Sequence, residues 1–212
     1  LDSWLAEKSS YLNSTLEKSN RLGANIILGF PLIKNKLTLS TQLKKEYVMP
    51  QNTAEFSNYD LNSVSFTLNY QDITSWFNPK KGTYWQLSYE KATNINLTRT
   101  FLNWGYFWPL SAQSTLAFHN FSGLLTLDTN TNIFDFEDFE IGGTNSIRGY
   151  FPPDTGKKKL LFNLEYRYDL NAVWQSVLFI DIGKTFNNEL DFTLSSFRIG
   201  KGVGIRYFTP IG

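Results

Sequence analysis

Residues 160–170 read "LLFNLEYRYDL". Leu160, Phe162, Leu164, Tyr166, Tyr168 and Leu170 fall on one side of an extended chain. Leu161 opens the other side, which continues as Asn163, Glu165, Arg167 and Asp169. Successive side chains of a strand point to opposite faces, so this alternation predicts a strand with one apolar and one charged face. The same period recurs towards the N-terminus. "NSVSFTLNYQ" (62–71) sets Val64, Phe66, Leu68 and Tyr70 against Ser63, Ser65, Thr67 and Asn69. "TYWQLSYEK" (83–91) sets Thr83, Trp85, Leu87 and Tyr89 against Tyr84, Gln86, Ser88 and Glu90. "RLGANIILGF" (21–30) and "KLTLSTQLKK" (36–45) repeat the pattern.

The pattern predicts ten strands, at about 10–20, 22–31, 36–48, 60–71, 82–92, 94–108, 112–127, 158–170, 174–183 and 195–208. Residues 1–9 read poorly as strand and are expected to form a short helix or loop. Many of these strands exceed the five or six residues usual in soluble sheets and suit a tilted bilayer crossing. "FPLIKN", "NPKKG", "WPLSAQ" and "LNAV" are short connections, whereas 49–59, 128–157 and 184–194 are longer and polar. Short turns at one end and long loops at the other mark a transmembrane barrel. Trp76, Phe77, Tyr106, Trp108, Tyr150, Trp174 and Tyr207 sit near strand ends, as an interfacial girdle requires.

Composition narrows the choice. The 212 residues suffice for one large domain, and a net charge of +1 offers no strong attraction to nucleic acid. Cysteine is absent, which excludes disulfides and thiolate metal sites, and His119 is the only histidine. No apolar run approaches the ~20 residues of a transmembrane helix. A mean hydropathy of −0.28 would suit a soluble protein, but a barrel shows lipid only alternate residues. The soluble alternative is an antiparallel sandwich or lipocalin-like barrel with its apolar face inside. The charges on the polar face, including Glu165, Arg167, Asp181, Arg198 and Arg206, favour a polar lumen and an apolar exterior.

One segment breaks the alternation. "FEIGGTNSIRGY" (139–150) resembles the signature loop F-x-x-G-G-x-x-S-[IV]-R-G-[YF] of the BamA/TamA superfamily of outer-membrane assembly and translocation barrels, the bacterial surface antigen type. Phe139, Gly142, Gly143, Ser146, Ile147, Arg148, Gly149 and Tyr150 fill every fixed position. "NLEYR" (163–167), "FIDIG" (179–183) and "RIGKGVGIRYFTPIG" (198–212) resemble the strands that follow it in that family, the last ending in T-P-x-G. "YQDITSWFNPKKGTY" (70–84) is similar to a strand–turn–strand upstream. The resemblance spans Tyr70 to Gly212.

It implies an all-β fold, a transmembrane antiparallel up-and-down barrel, with about ten strands of a sixteen-strand barrel in this chain. Residues 1–212 are then a partial barrel domain, and 128–157 is a loop that folds into the lumen as a lid-lock. The family's POTRA repeats, first strands and closing strand are expected outside this chain. The resemblance places Arg148 against Glu165 and Asp181 on the inner wall. The residues alone leave open a solvated Arg148, with Glu165 and Asp181 paired to Arg167, Arg198 or Arg206. Lys201 falls among the apolar Ile199, Val203 and Ile205 and is expected near an interface.

Other features read as ordinary surface. "KKK" (157–159) is expected to be a solvated strand entry and "DFEDFE" (135–140) loop surface. His119 reads as a satisfied wall residue. Asp128, Asp135 and Asp138 lack the spacing of a calcium loop.

The function implied by the resemblance is insertion or export of β-barrel or passenger proteins through a barrel with a labile seam. No catalytic residue, metal or cofactor is implied. The implied partners are outer-membrane lipids and unfolded clients, with periplasmic chaperones and accessory lipoproteins. The implied location is a bacterial outer membrane, or that of a plastid or mitochondrion. The alternatives are a two-partner secretion transporter, the barrel of a patatin-type phospholipase and a passive porin. No G-x-S-x-G for a lipase serine occurs in these residues.

Overall fold

In the computed structural model, residues 2–12, 15–52, 56–127, 137–188 and 193–209 are described. The chain is all-β. Its strands are β1 (Asp2–Leu12), β2 (Thr15–Ile33), β3 (Leu37–Pro50), β4 (Tyr59–Ile73), β5 (Gly82–Ala92), β6 (Leu97–Pro109), β7 (Ser114–Leu127), β8 (Phe139–Ile141), β9 (Asp154–Gly156), β10 (Lys158–Asp169), β11 (Trp174–Phe186) and β12 (Arg198–Tyr207). Ten of them form one antiparallel meander in the order β1-β2-β3-β4-β5-β6-β7-β10-β11-β12. The short β8 and β9 pair only with each other, inside the β7–β10 connection.

The strand count agrees with the periodicity, but the first hairpin does not sit where it was expected. Residues 2–12 are strand rather than helix or loop, and 15–33 form one strand of 19 residues. Their register runs from Asp2↔Asn25 to Leu12↔Thr15. The polar runs "AEKSSYL" (6–12) and "TLEKSN" (15–20) hide this pairing, because they carry no apolar–polar alternation.

Which face is inside is decided by exposure. Leu164 and Leu178 are 41 % and 55 % exposed, whereas Glu165 is 7 % and Asp181 0 %. A lipocalin would show the reverse. Exposed Leu28, Phe30, Leu43, Phe66, Leu87, Phe162 and Ile180 continue the apolar exterior around the sheet. Such a surface is stable only against hydrocarbon, so the sheet is the wall of a transmembrane barrel. Trp76, Phe77, Tyr106, Trp108, Trp174 and Tyr207 are exposed and lie at the end with the short turns. Tyr150 does not join them; it packs with the loop. Lys201 is exposed on the lipid side opposite Ile180, three residues into β12 from the end that carries the long connections.

The lumen is not uniformly polar. Near the long-loop end, Val48, Leu61, Ala92, Leu97 and Leu125 point inward and are buried with Tyr59. Phe139 packs on this cluster from the loop. A second cluster joins Ile141 and Ile147 of the loop to Leu161 of the wall. Burying these side chains gives the loop a hydrophobic reason to lie inside.

Candidate functional site

The loop enters the lumen on two glycines. Gly142 and Gly143 have φ of 136° and 81°, and Gly149 has 81°. These values lie in the region that residues with a Cβ rarely adopt. Between them the backbone closes on itself: Gly143 N–H donates to the Tyr150 carbonyl at 2.9 Å and Ser146 N–H to the Gly143 carbonyl at 3.2 Å. Ser146 Oγ accepts from Gly142 N–H at 3.2 Å. Ile147, with no exposed surface, anchors the turn against Leu161. Tyr150 lies under the Arg198 guanidinium at 4.8 Å.

Arg148 is thereby aimed at the wall. Its Nη1 donates to Glu165 Oε1 at 2.6 Å. Its Nη2 and Nε donate to Asp181 Oδ1 and Oδ2 at 2.7 and 2.8 Å, a two-point grip, and its backbone N–H adds a third bond to Oδ2 at 3.0 Å. The guanidinium lies 3.6 Å above the Phe179 ring. Glu165 and Asp181 sit on adjacent strands, where Asn163 faces Asp181 and Glu165 faces Phe179. Asn163 Nδ2 donates to both Asp181 Oδ1 (2.7 Å) and the Ser146 carbonyl (2.8 Å), tying loop and wall together.

Glu165 is shared. Arg167 Nε and Arg206 Nη2 also donate to it, at 2.8 and 2.9 Å. Arg198 goes instead to Asp154 at 3.3 Å. His119 bridges Asn163 (2.9 Å) and Asn103 (2.7 Å).

Four residues of this site carry no role in the sequence reading. Phe179 had a signal, because it shares the inward parity of Asp181. Asn163 had the same parity. Gly200 had its place in a glycine run: a Cβ there would lie 2.5 Å from the Arg148 carbonyl oxygen. Gly200→Ala is therefore expected to push the loop backbone away and cost about 1–3 kcal/mol. A melting temperature equal to wild type would sink that close approach.

The fourth is Glu137, in the stretch expected to be loop surface. It is 3 % exposed. It accepts from Arg21 Nη2 of β2 and Arg99 Nη2 of β6, each at 2.7 Å, and from the Tyr59 hydroxyl of β4 at 2.9 Å. Glu46 and Glu90 extend the network to Arg21 and Arg99 at 3.4 and 2.9 Å. Burial alone would push the Glu137 carboxyl up, but Arg21, Lys8 and Arg99 outweigh it and hold it at about 2. Lys159, expected to be solvated, turns inward and donates to the Glu140 carbonyl at 2.6 Å, 5.0 Å from the Phe121 ring. The loop is thus held at two points, by an anion clamped between cations and a cation clamped between anions.

Asp128 and Asp135 lie outside the described residues, as do Pro210 to Gly212 of the T-P-x-G run. Among the described residues no group of three His, Cys, Asp or Glu is arranged to hold a metal ion.

A ten-strand meander whose connecting loop returns to grip its own wall through one arginine is a narrow architecture. The Omp85 superfamily domain matches residues 6–212. The chain belongs to the Omp85 superfamily. Two solved structures share the fold. One is the crystal structure of BamA from Haemophilus ducreyi lacking POTRA domains 1-3, with a TM-score of 0.77 at 14 % identity, over 98 % of this chain and 52 % of that one. The other is CdiB from Acinetobacter baumannii, with a TM-score of 0.63 at 12 % identity, over 96 % of this chain and 40 % of that one. This Omp85 chain therefore spans about half the length of the first and two fifths of the second. Within the Omp85 frame, the loop connects β7 to β10 and reaches β10 and β11 through Arg148 and β2, β4 and β6 through Glu137.

Proposed function

We propose that this Omp85 barrel segment is the wall and lid-lock of an outer-membrane insertase or translocase of the BamA/TamA type. The observation that carries the reading is the grip of Arg148 on Glu165 and Asp181 in a superfamily barrel. A barrel that must open at a seam without unfolding gains from an internal brace. Gly142, Gly143, Ser146, Ile147, Gly149 and Tyr150 shape the brace, and Arg148 fastens it. In this reading the ten strands are the greater part of a larger barrel. Its apolar exterior meets outer-membrane lipids, and its clients are unfolded β-barrel or passenger proteins. An exposed strand edge at the seam would template a client strand through unpaired backbone groups.

The test is reconstitution of the full-length protein in liposomes with an unfolded β-barrel client. Wild type is expected to accelerate client folding, and Arg148→Ala to lose most of that acceleration. Export of a single soluble passenger without client folding would select a two-partner transporter instead. Large, stable, ungated conductance with neither activity would select a passive porin.

A further inference from the structure

A cavity of about 280 Å³ lies beneath the loop, between Arg148 and the inner wall. Three guanidinium groups reach it, from Arg148, Arg167 and Arg206, and Glu165 is the carboxylate they share. The other acid at this site, Asp181, is committed to Arg148 and Asn163. Three guanidiniums against two carboxylates leave the site one positive charge in excess.

The excess has an address. Arg167 gives only its Nε to Glu165, and its two terminal nitrogens donate no hydrogen bond among the described residues. Its side chain is 14 % exposed, and its guanidinium packs 5.4 Å from the Phe107 ring. The four N–H groups of a fixed planar fork therefore meet no acceptor among the described residues, beside a cavity that Arg167 lines. A planar carboxylate satisfies two such donors at once. A single excess charge matches a monoanion better than a phosphate dianion. Tyr84 and Phe107, whose rings meet at 6.1 Å, supply an aromatic wall on one side.

We propose that this cavity binds one carboxylate of an extended polypeptide in the lumen, an Asp or Glu side chain or a chain terminus. Arg167 is the direct ligand and Arg206 the second cation. The source of the carboxylate rests on the protein-handling function proposed above; the binding itself does not.

The test uses the full-length protein folded in detergent and two short peptides blocked at both ends, one with a central Asp and one with Asn there. Calorimetric titration is expected to show the Asp peptide binding about tenfold tighter, the scale of a charge-assisted hydrogen bond. Arg167→Gln is expected to erase that preference while the barrel keeps its heat-resistant migration on gels. Where Arg167→Gln does not fold, Phe107→Leu keeps every charge and is expected to weaken the Asp peptide alone. Equal binding of the two peptides, or a preference that survives Arg167→Gln, overturns the site. Inorganic phosphate binding in place of the Asp peptide overturns the choice of carboxylate. Absence of the preference in the wild type, with client folding intact, would refute the site and leave the insertase reading standing. Intact preference without client folding would do the opposite.

Discussion

Arg148→Ala is expected to destabilise the barrel by about 3–5 kcal/mol, the cost of stripping one partner from a buried ion pair. The loss falls unevenly. Glu165 keeps Arg167 and Arg206 at 2.8 and 2.9 Å. Asp181 keeps only Asn163 and the backbone N–H of residue 148, with its side chain wholly buried. An uncompensated carboxylate at that position is the larger part of the penalty. The double variant Arg148→Ala with Asp181→Asn should therefore be more stable than Arg148→Ala alone, a coupling that a double-mutant cycle reads directly. Arg148→Lys should recover little, because an ammonium can neither grip both Asp181 oxygens nor lie flat over Phe179. Thermal unfolding in detergent measures all three. If Arg148→Ala melts with wild type, the contact is not bracing the fold.

The wall was legible because its physics is local. Parity along "LLFNLEYRYDL" put Glu165 inside and Leu164 outside without any knowledge of neighbouring strands. The same parity held from β3 to β7 and from β10 to β12, where one face meets lipid and the other meets the lumen. It failed at β1 and the outer half of β2, where both faces are polar and alternation carries no information. The loop was legible in another way, through residues whose spacing repeats in a known family. Glu137 escaped both. Its partners Arg21 and Arg99 lie 116 and 38 residues away, and nothing in "DFEDFE" distinguishes a surface acid from one folded back between two arginines. Phe179 and Gly200 fall between these cases. Their parity was readable, but what an inward aromatic or an inward glycine would touch depends on where the loop lands.

Glu137→Gln should be as damaging as Arg148→Ala, for the complementary reason. Removing the anion takes from the buried Arg21 and Arg99 the acceptor they share, although Glu46 still lies 3.4 Å from Arg21 and Glu90 2.9 Å from Arg99. The expected cost is again about 3–5 kcal/mol. Here pH supplies an independent check. The folded carboxyl is held at about 2, below its ordinary 4.5. A depressed folded pKa stabilises above the unfolded value and loses that contribution as pH falls through the folded one. The advantage of wild type over Glu137→Gln should therefore be complete above about pH 4.5. It should shrink steadily as pH falls through about 2, below which both forms carry a neutral side chain. Melting curves of the pair at a series of pH values test this. A gap that stays constant down to pH 2 would mean that Glu137 acts through shape alone. The two locks also predict a division of labour. Arg148 ties the loop to β10 and β11, while Glu137 ties it to β2, β4 and β6. Cutting either frees one side of the lumen from the other, so each variant alone should loosen the loop. Because both sites hold one loop, their effects on stability should couple through it rather than add, as the double variant would read.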